Sequence, residues 1–148
     1  MNINGEQLVA CIQSIVDFNI MGGNKEHELD ITLEQKMVKS EIKEFLDAYQ
    51  TNDQKEMMDA EADVLVVWIG TIWKAGHLSR LVDVLKSVCE SNMTKFCKTL
   101  DEAKATVDFY KDLGVETHHS YNDQYKLFVV KDNKGKIMKS INFQKPAI

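Results

Sequence analysis

A chain of 148 residues, 44% hydrophobic and 28% charged, has the size and make-up of one globular domain. Its net charge of -5 excludes a general binder of nucleic-acid polymers, which needs a basic stripe to track phosphates. Arg80 is the sole arginine, so recognition of an anion has to draw on lysine, backbone amides or a metal.

The first two-thirds predict helices. Leu8, Ile12, Ile15 and Val16 recur at helical spacing over residues 5 to 20, and "MGGNK" breaks the pattern. A second helix opens at "TLEQ", with Thr32 as cap and Gln35 reaching back, and runs through Met37, Val38, Ile42, Phe45 and Leu46 to "YQTND". A third starts from Asp53 and ends near Ala75, before Gly76. A fourth spans about Leu78 to Asn92, and a short fifth starts at Thr99 and stops at Gly114. Beyond it, "YKLFVVKDNKGKIMKSINF" predicts a β-hairpin turning at "DNKG". A lone hairpin is marginal in water, so it is expected to lie on the bundle or pair with another subunit. The expected fold is therefore all-α, a bundle of four to five helices over residues 1–114 with the hairpin of 115–148 as an extension of the same domain.

No signal peptide is evident, and the most apolar run, Val64 to Trp73, is only ten residues, too short for a membrane span. Cys11, Cys89 and Cys97 lack metal or redox spacing and suit free thiols in a reducing cytoplasm.

The acids carry the chemistry. Residues three or four apart share a helix face, which pairs Glu41 with Glu44 and Asp59 with Asp63. Two antiparallel helices could aim all four at one point. Like charges about 5 Å apart repel by roughly 3 kcal/mol at an effective dielectric near 20. The run from Val64 to Trp73 is expected to be buried, with Trp68 and Trp73 in the core, and charge beside it calls for a partner. A divalent cation would resolve this, and all-oxygen ligands favour Mg²⁺ or Mn²⁺ over zinc. Glu56 is a reserve ligand and Glu61 is expected in solvent. The plainer alternative is that these acids form solvated helix faces, Asp59 suiting a first turn through the helix dipole. "MGGNK" lacks phosphate-loop spacing, and His118-His119 is an ordinary loop pair.

"SEIKEF", "DAEADVLVVWIGT" and "ESNMTKF" follow one another as in the all-α NTP pyrophosphatase superfamily, which the chain resembles over about residues 5 to 98. That group includes MazG-like enzymes, phosphoribosyl-ATP pyrophosphohydrolases and dimeric dUTPases, and the short MazG-like and phosphoribosyl-ATP types are the most similar. The EExxE motif is met by Ser40-Glu41-Ile42-Lys43-Glu44, with Ser40 in place of the leading glutamate. In the ExxD motif Asp63 matches, while Asp59 stands one position before the expected acid, at which Ala60 is found. Asn92-Met93-Thr94-Lys95 matches Asn-x-Ser/Thr-Lys.

The resemblance implies Mg²⁺- or Mn²⁺-dependent hydrolysis of a (deoxy)nucleoside triphosphate to the monophosphate and pyrophosphate. It implies Glu41, Glu44 and Asp63 as catalytic ligands, Asp59 as a further metal ligand, and Glu44 as the group orienting the attacking water. Lys95 would neutralise distal phosphates with Asn92 hydrogen-bonding beside it; the plainer alternative is a helix C-terminus, which suits an asparagine and a lysine without any function. Phe18 and Asn19 would meet the base by stacking and amide recognition. A homodimer or homotetramer is implied too. Two alternatives stay open: phosphoribosyl-ATP hydrolysis by the same chemistry, and a non-catalytic helical protein of oligomerisation or regulation, which Ser40 favours.

Overall fold

Asn4 begins the first helix, its Oδ1 accepting the backbone N–H groups of Glu6 and Gln7 at 3.1 and 3.3 Å and so satisfying two of the donors a helix start leaves free. The computed structural model describes residues 4–148. Among them are five α-helices and one two-stranded antiparallel sheet, as expected for a mainly helical chain with a small β element. The contacts gather the chain into two compact units, one ending at Arg80 and the other running Leu81–Ile148.

The first unit holds α1 (Gly5–Met21), α2 (Ile31–Thr51), α3 (Gln54–Lys74) and a 3₁₀ turn, Leu78–Arg80. The cap of α2 is Asp30, whose Oδ1 accepts from Thr32 and Leu33 N–H; Thr32 was expected in that place. Asp53 caps α3 in the same way, through Lys55 and Glu56 N–H. Only Asn52 and Asp53 separate α2 from α3, with Asn52 in the left-handed region at φ 57°. That conformation suits asparagine at a helix end. The two helices therefore run antiparallel and pack along each other, while α1 packs on α3.

The inward stripe of α2 is Glu34, Met37, Val38, Glu41, Phe45 and Ala48. Ile42 and Leu46, expected inside, are 43% and 54% exposed. In α3, Trp73 is buried as expected, but Leu65 and Trp68 are 60% and 53% exposed. The apolar run is thus not enclosed by its own chain: α2 and α1 cover only part of its circumference.

Gly76 ends α3 at φ 74°, where its N–H bonds Trp73 O at 2.8 Å and His77 N–H bonds Ile72 O at 3.0 Å. A Cβ at Gly76 would fall 2.0 Å from the His27 ring. Gly76→Ala is expected to destabilise the fold by more than about 1 kcal/mol, measured by urea denaturation. His27→Ala in that background should recover only part of the loss, since the exposed ring can shift whereas the positive φ persists.

The second unit holds α4 (Leu81–Met93), α5 (Leu100–Asp112), β1 (Thr117–Asn122) and β2 (Leu127–Asp132). Thr99 caps α5 by accepting from Glu102 N–H at 3.1 Å, and Gly114 ends it at φ 74°. The α5 helix packs on both strands, around a core of Cys97, Ala103 and Val130 flanked by Val107, Phe128 and Met138. Burying Val130 completely contributes about 1.5–3 kcal/mol.

The hairpin differs from the expected one. The strand beside β2 is Thr117–Asn122, paired from Thr117↔Asp132 to Asn122↔Leu127. The turn lies between, with Asn122 Oδ1 accepting Tyr125 N–H at 3.1 Å and Lys126 at φ 55°. "DNKG" does turn, Gly135 N–H bonding Asp132 O at 3.0 Å, but the stretch after Gly135 makes only a single bridge, Lys131↔Ile137. The chain then returns along α4: Ser91 Oγ donates to Gln144 O at 2.7 Å and Ser87 Oγ to Ala147 O at 2.9 Å. Thus α5 holds the hairpin and the tail holds α4, all within the unit Leu81–Ile148.

Candidate functional site

On the α2–α3 pair, Glu44, Asp47, Glu56, Asp59 and Asp63 line one cleft of about 280 Å³ floored by Ala48 and Ala60. Small residues at 48 and 60 let two helices carrying acids approach, and the two-residue link fixes which faces meet. No lysine or arginine lines the cleft. Lys43 stands beside it on α2 and is taken up by Asp47 at 2.5 Å.

Glu41 is half-buried next to this group. Partial burial, then the charges of Glu44 and Asp63, push its carboxyl above the usual carboxylate range. Glu41 therefore senses one acid on its own helix and one on α3. Asp59, Asp63 and Glu44 are exposed, which corrects the expectation that burial forces a counter-charge upon them. Ser40 Oγ donates to Glu44 Oε1 at 3.4 Å. It sets a hydrogen bond where a further carboxylate was expected from the motif. Glu56 is reached by Thr51 Oγ1 at 3.5 Å. Glu61 is exposed, yet it accepts the Tyr49 hydroxyl at 2.5 Å, a bond that raises the phenol's pKa.

Among the described residues no three of His, Cys, Asp and Glu are drawn together closely enough to grip one ion. The acids form an open array. All-oxygen donors of this kind suit a cation that keeps much of its water, which is the habit of Mg²⁺.

The other sequence candidates fall into two groups. Asn19 is buried in the first unit with its amide occupied: Nδ2 donates to Ile15 O at 2.9 Å, and Oδ1 accepts from Asn24 at 3.2 Å. It also lies against Gly70, where a Cβ would sit 2.9 Å from Nδ2. Its place is that of a spacer between α1 and α3. The Phe18 ring is exposed. Asn92 and Lys95 belong to the second unit, Asn92 exposed at the end of α4 and Lys95 half-buried just beyond it. Lys95 O accepts Ser140 N–H at 3.1 Å.

Sequence reasoning missed the one deeply buried ion pair among the described residues. Glu34 is 2% and Lys74 5% exposed; they bond through Glu34 Oε1 and Lys74 Nζ, and Thr71 Oγ1 donates to Glu34 Oε2 at 2.6 Å. The signal was present in part, since Glu34 continues the inward stripe of α2 at helical spacing. Its partner lies 40 positions away, and no local pattern joins the two. Among the described residues no helix is long and apolar enough to cross a membrane, and Cys11, Cys89 and Cys97 are free. In comparisons with known proteins, no family model, no curated protein and no solved structure matches this chain.

Proposed function

We propose that the chain hydrolyses a (deoxy)nucleoside triphosphate to the monophosphate and pyrophosphate with the help of Mg²⁺ or Mn²⁺, as in the all-α NTP pyrophosphatases it resembles. The observation that carries this reading is the joint lining of one cleft by Glu44, Asp59 and Asp63, with no lysine or arginine in its lining, and Glu41 beside it, sensitive to Glu44 and Asp63. Glu41, Glu44 and Asp63, with Asp59 as the fourth, would hold a hydrated ion, largely through its water shell. When bound, such an ion polarises phosphoryl oxygens and makes a coordinated water more acidic. An acidic cleft would otherwise repel a polyanionic substrate. Glu44 would orient the attacking water, and Ser40 Oγ donates to its carboxylate at 3.4 Å. The open cleft admits solvent, and a bound triphosphate displaces it. Phe18 offers a free ring to a base, whereas the Asn19 amide is buried and already bonded to Ile15 and Asn24. Phosphate binding by Asn92 and Lys95 rests on their motif alone.

Self-association belongs to the same proposal. Ile42, Leu46, Leu65 and Trp68 are exposed on the two helices that carry the acids, and a bare apolar surface of this kind usually meets a partner. A second copy of the chain is the partner proposed.

A thermal-shift panel tests the hydrolase. With Mg²⁺, at least one nucleoside triphosphate is expected to raise the melting point, by about 2.7 kcal/mol of stabilisation at a hundredfold excess over its Kd. Product analysis should then show pyrophosphate. A response confined to phosphoribosyl-ATP would move the substrate to that compound. No response to any nucleotide, with or without metal, would leave the non-catalytic reading.

A further inference from the structure

The β2 strand begins Leu127-Phe128-Val129-Val130, without polar alternation. In an antiparallel sheet one face usually stays wet and carries polar side chains, so a strand apolar on both faces needs cover twice. Phe128 and Val130 find theirs in the core around Cys97 and Ala103. Leu127 and Val129 point the other way. There they line, with Met93, Phe96, Tyr125 and Asn122, a cavity of about 340 Å³ lying wholly inside the second unit.

Three properties of this cavity limit what it holds. Its volume is at the small end of the range of roughly 300–1,000 Å³ for small-molecule sites, too small for a helix or a strand with its side chains. No charged side chain lines it, so nothing there balances a phosphate or carboxylate. Phe96 and Tyr125 supply aromatic surface, and Met93 a polarisable thioether suited to ring contacts. Its polar side-chain groups are the Tyr125 hydroxyl and the Asn122 amide. Asn122 Oδ1 is occupied by Tyr125 N–H in the hairpin turn, which leaves the Nδ2 hydrogens to donate.

The geometry points to a second ligand site, separate from the acidic cleft, that takes a small, uncharged, planar aromatic or heteroaromatic molecule bearing a carbonyl acceptor. The ring lies against Phe96, Leu127 and Val129, and the carbonyl accepts from Asn122 Nδ2. The site is independent of the proposed hydrolase, because none of its residues serves in that assignment.

The test uses the full chain with ¹³C-labelled methionine methyls, 4-quinolone as the probe and benzoate as its charged counterpart. The Met93 methyl is identified by its loss in Met93→Leu. Titration with 4-quinolone is expected to move that resonance saturably while benzoate leaves it in place. Asn122→Asp keeps the acceptor that the turn needs and removes the donor; it should weaken 4-quinolone about fivefold, the worth of one hydrogen bond. Val129→Lys, at a half-exposed strand position, should abolish the response with the other methionine resonances unchanged. The proposal is overturned by the absence of a saturable Met93 shift, by equal responses to benzoate and 4-quinolone, or by Asn122→Asp binding as tightly as the parent. Should Val129→Lys lose its native spectrum, the Asn122→Asp ratio decides alone.

Discussion

Replacing Glu41 by glutamine is expected to cut Mg²⁺-dependent pyrophosphate release at least about a hundredfold, equivalent to about 2.7 kcal/mol of transition-state stabilisation, while making the metal-free protein more resistant to heat at neutral pH. The two effects have one cause. Partial burial and the neighbouring Glu44 and Asp63 disfavour the charged form of Glu41 and hold its carboxyl above the ordinary 4.5. A group shifted upward in the folded state contributes its stability below the unfolded pKa, and that contribution is lost as pH rises through the folded value. The parent should therefore match Glu41→Gln in melting temperature at pH below 4.5 and fall behind it above. Added Mg²⁺ should close the gap by stabilising the parent alone. Asp63→Asn should behave alike in activity. Full activity in both variants would remove the site assignment, and a parent that gains nothing from Mg²⁺ would remove the metal.

The larger effect on folding is expected at the other end of the α2–α3 pair. Lys74→Met leaves the Glu34 carboxylate buried with Thr71 as its remaining donor. Breaking a buried pair on one side costs about 3–5 kcal/mol, whereas replacing both members by apolar residues of similar size is often neutral. At about 2–4 °C per kcal/mol the single change lowers the melting temperature by about 6–20 °C. The double variant Glu34→Leu with Lys74→Met should recover most of that loss. Thermal and urea denaturation check both, and a single-variant cost below about 1 kcal/mol would mean that water reaches the carboxylate.

Local chemistry was legible in the sequence. Asp53 and Thr99 as helix caps, and Gly76 and Gly114 as stops, act through neighbours a few residues away, and all four stand where they were expected. Periodicity also set Glu41 and Glu44 on one helix, α2, and Asp59 and Asp63 on the next, α3. Direction was misjudged. Hydrophobicity suggested Ile42 and Leu46 for the interior of α2, but Glu34 and Glu41 occupy that stripe. Which of two apolar stripes turns inward depends on the surface of α3, and periodicity within α2 carries no record of it. A C-terminal hairpin was expected and is present, but its strands were misplaced for a different reason: "THHSYN" has no apolar alternation, so β1 gave no strand signal. Its pairing is decided by the turn that Asn122 and Lys126 close.

The short Asn52-Asp53 connection has a mechanical consequence. One extra residue in the first turn of α3 would rotate the faces beyond it by about 100° about the helix axis and swing Asp59 and Asp63 away from Glu44, since so short a link leaves little slack to compensate. The alignment of the acids is thus written into chain length, with only side-chain reach left to adjust.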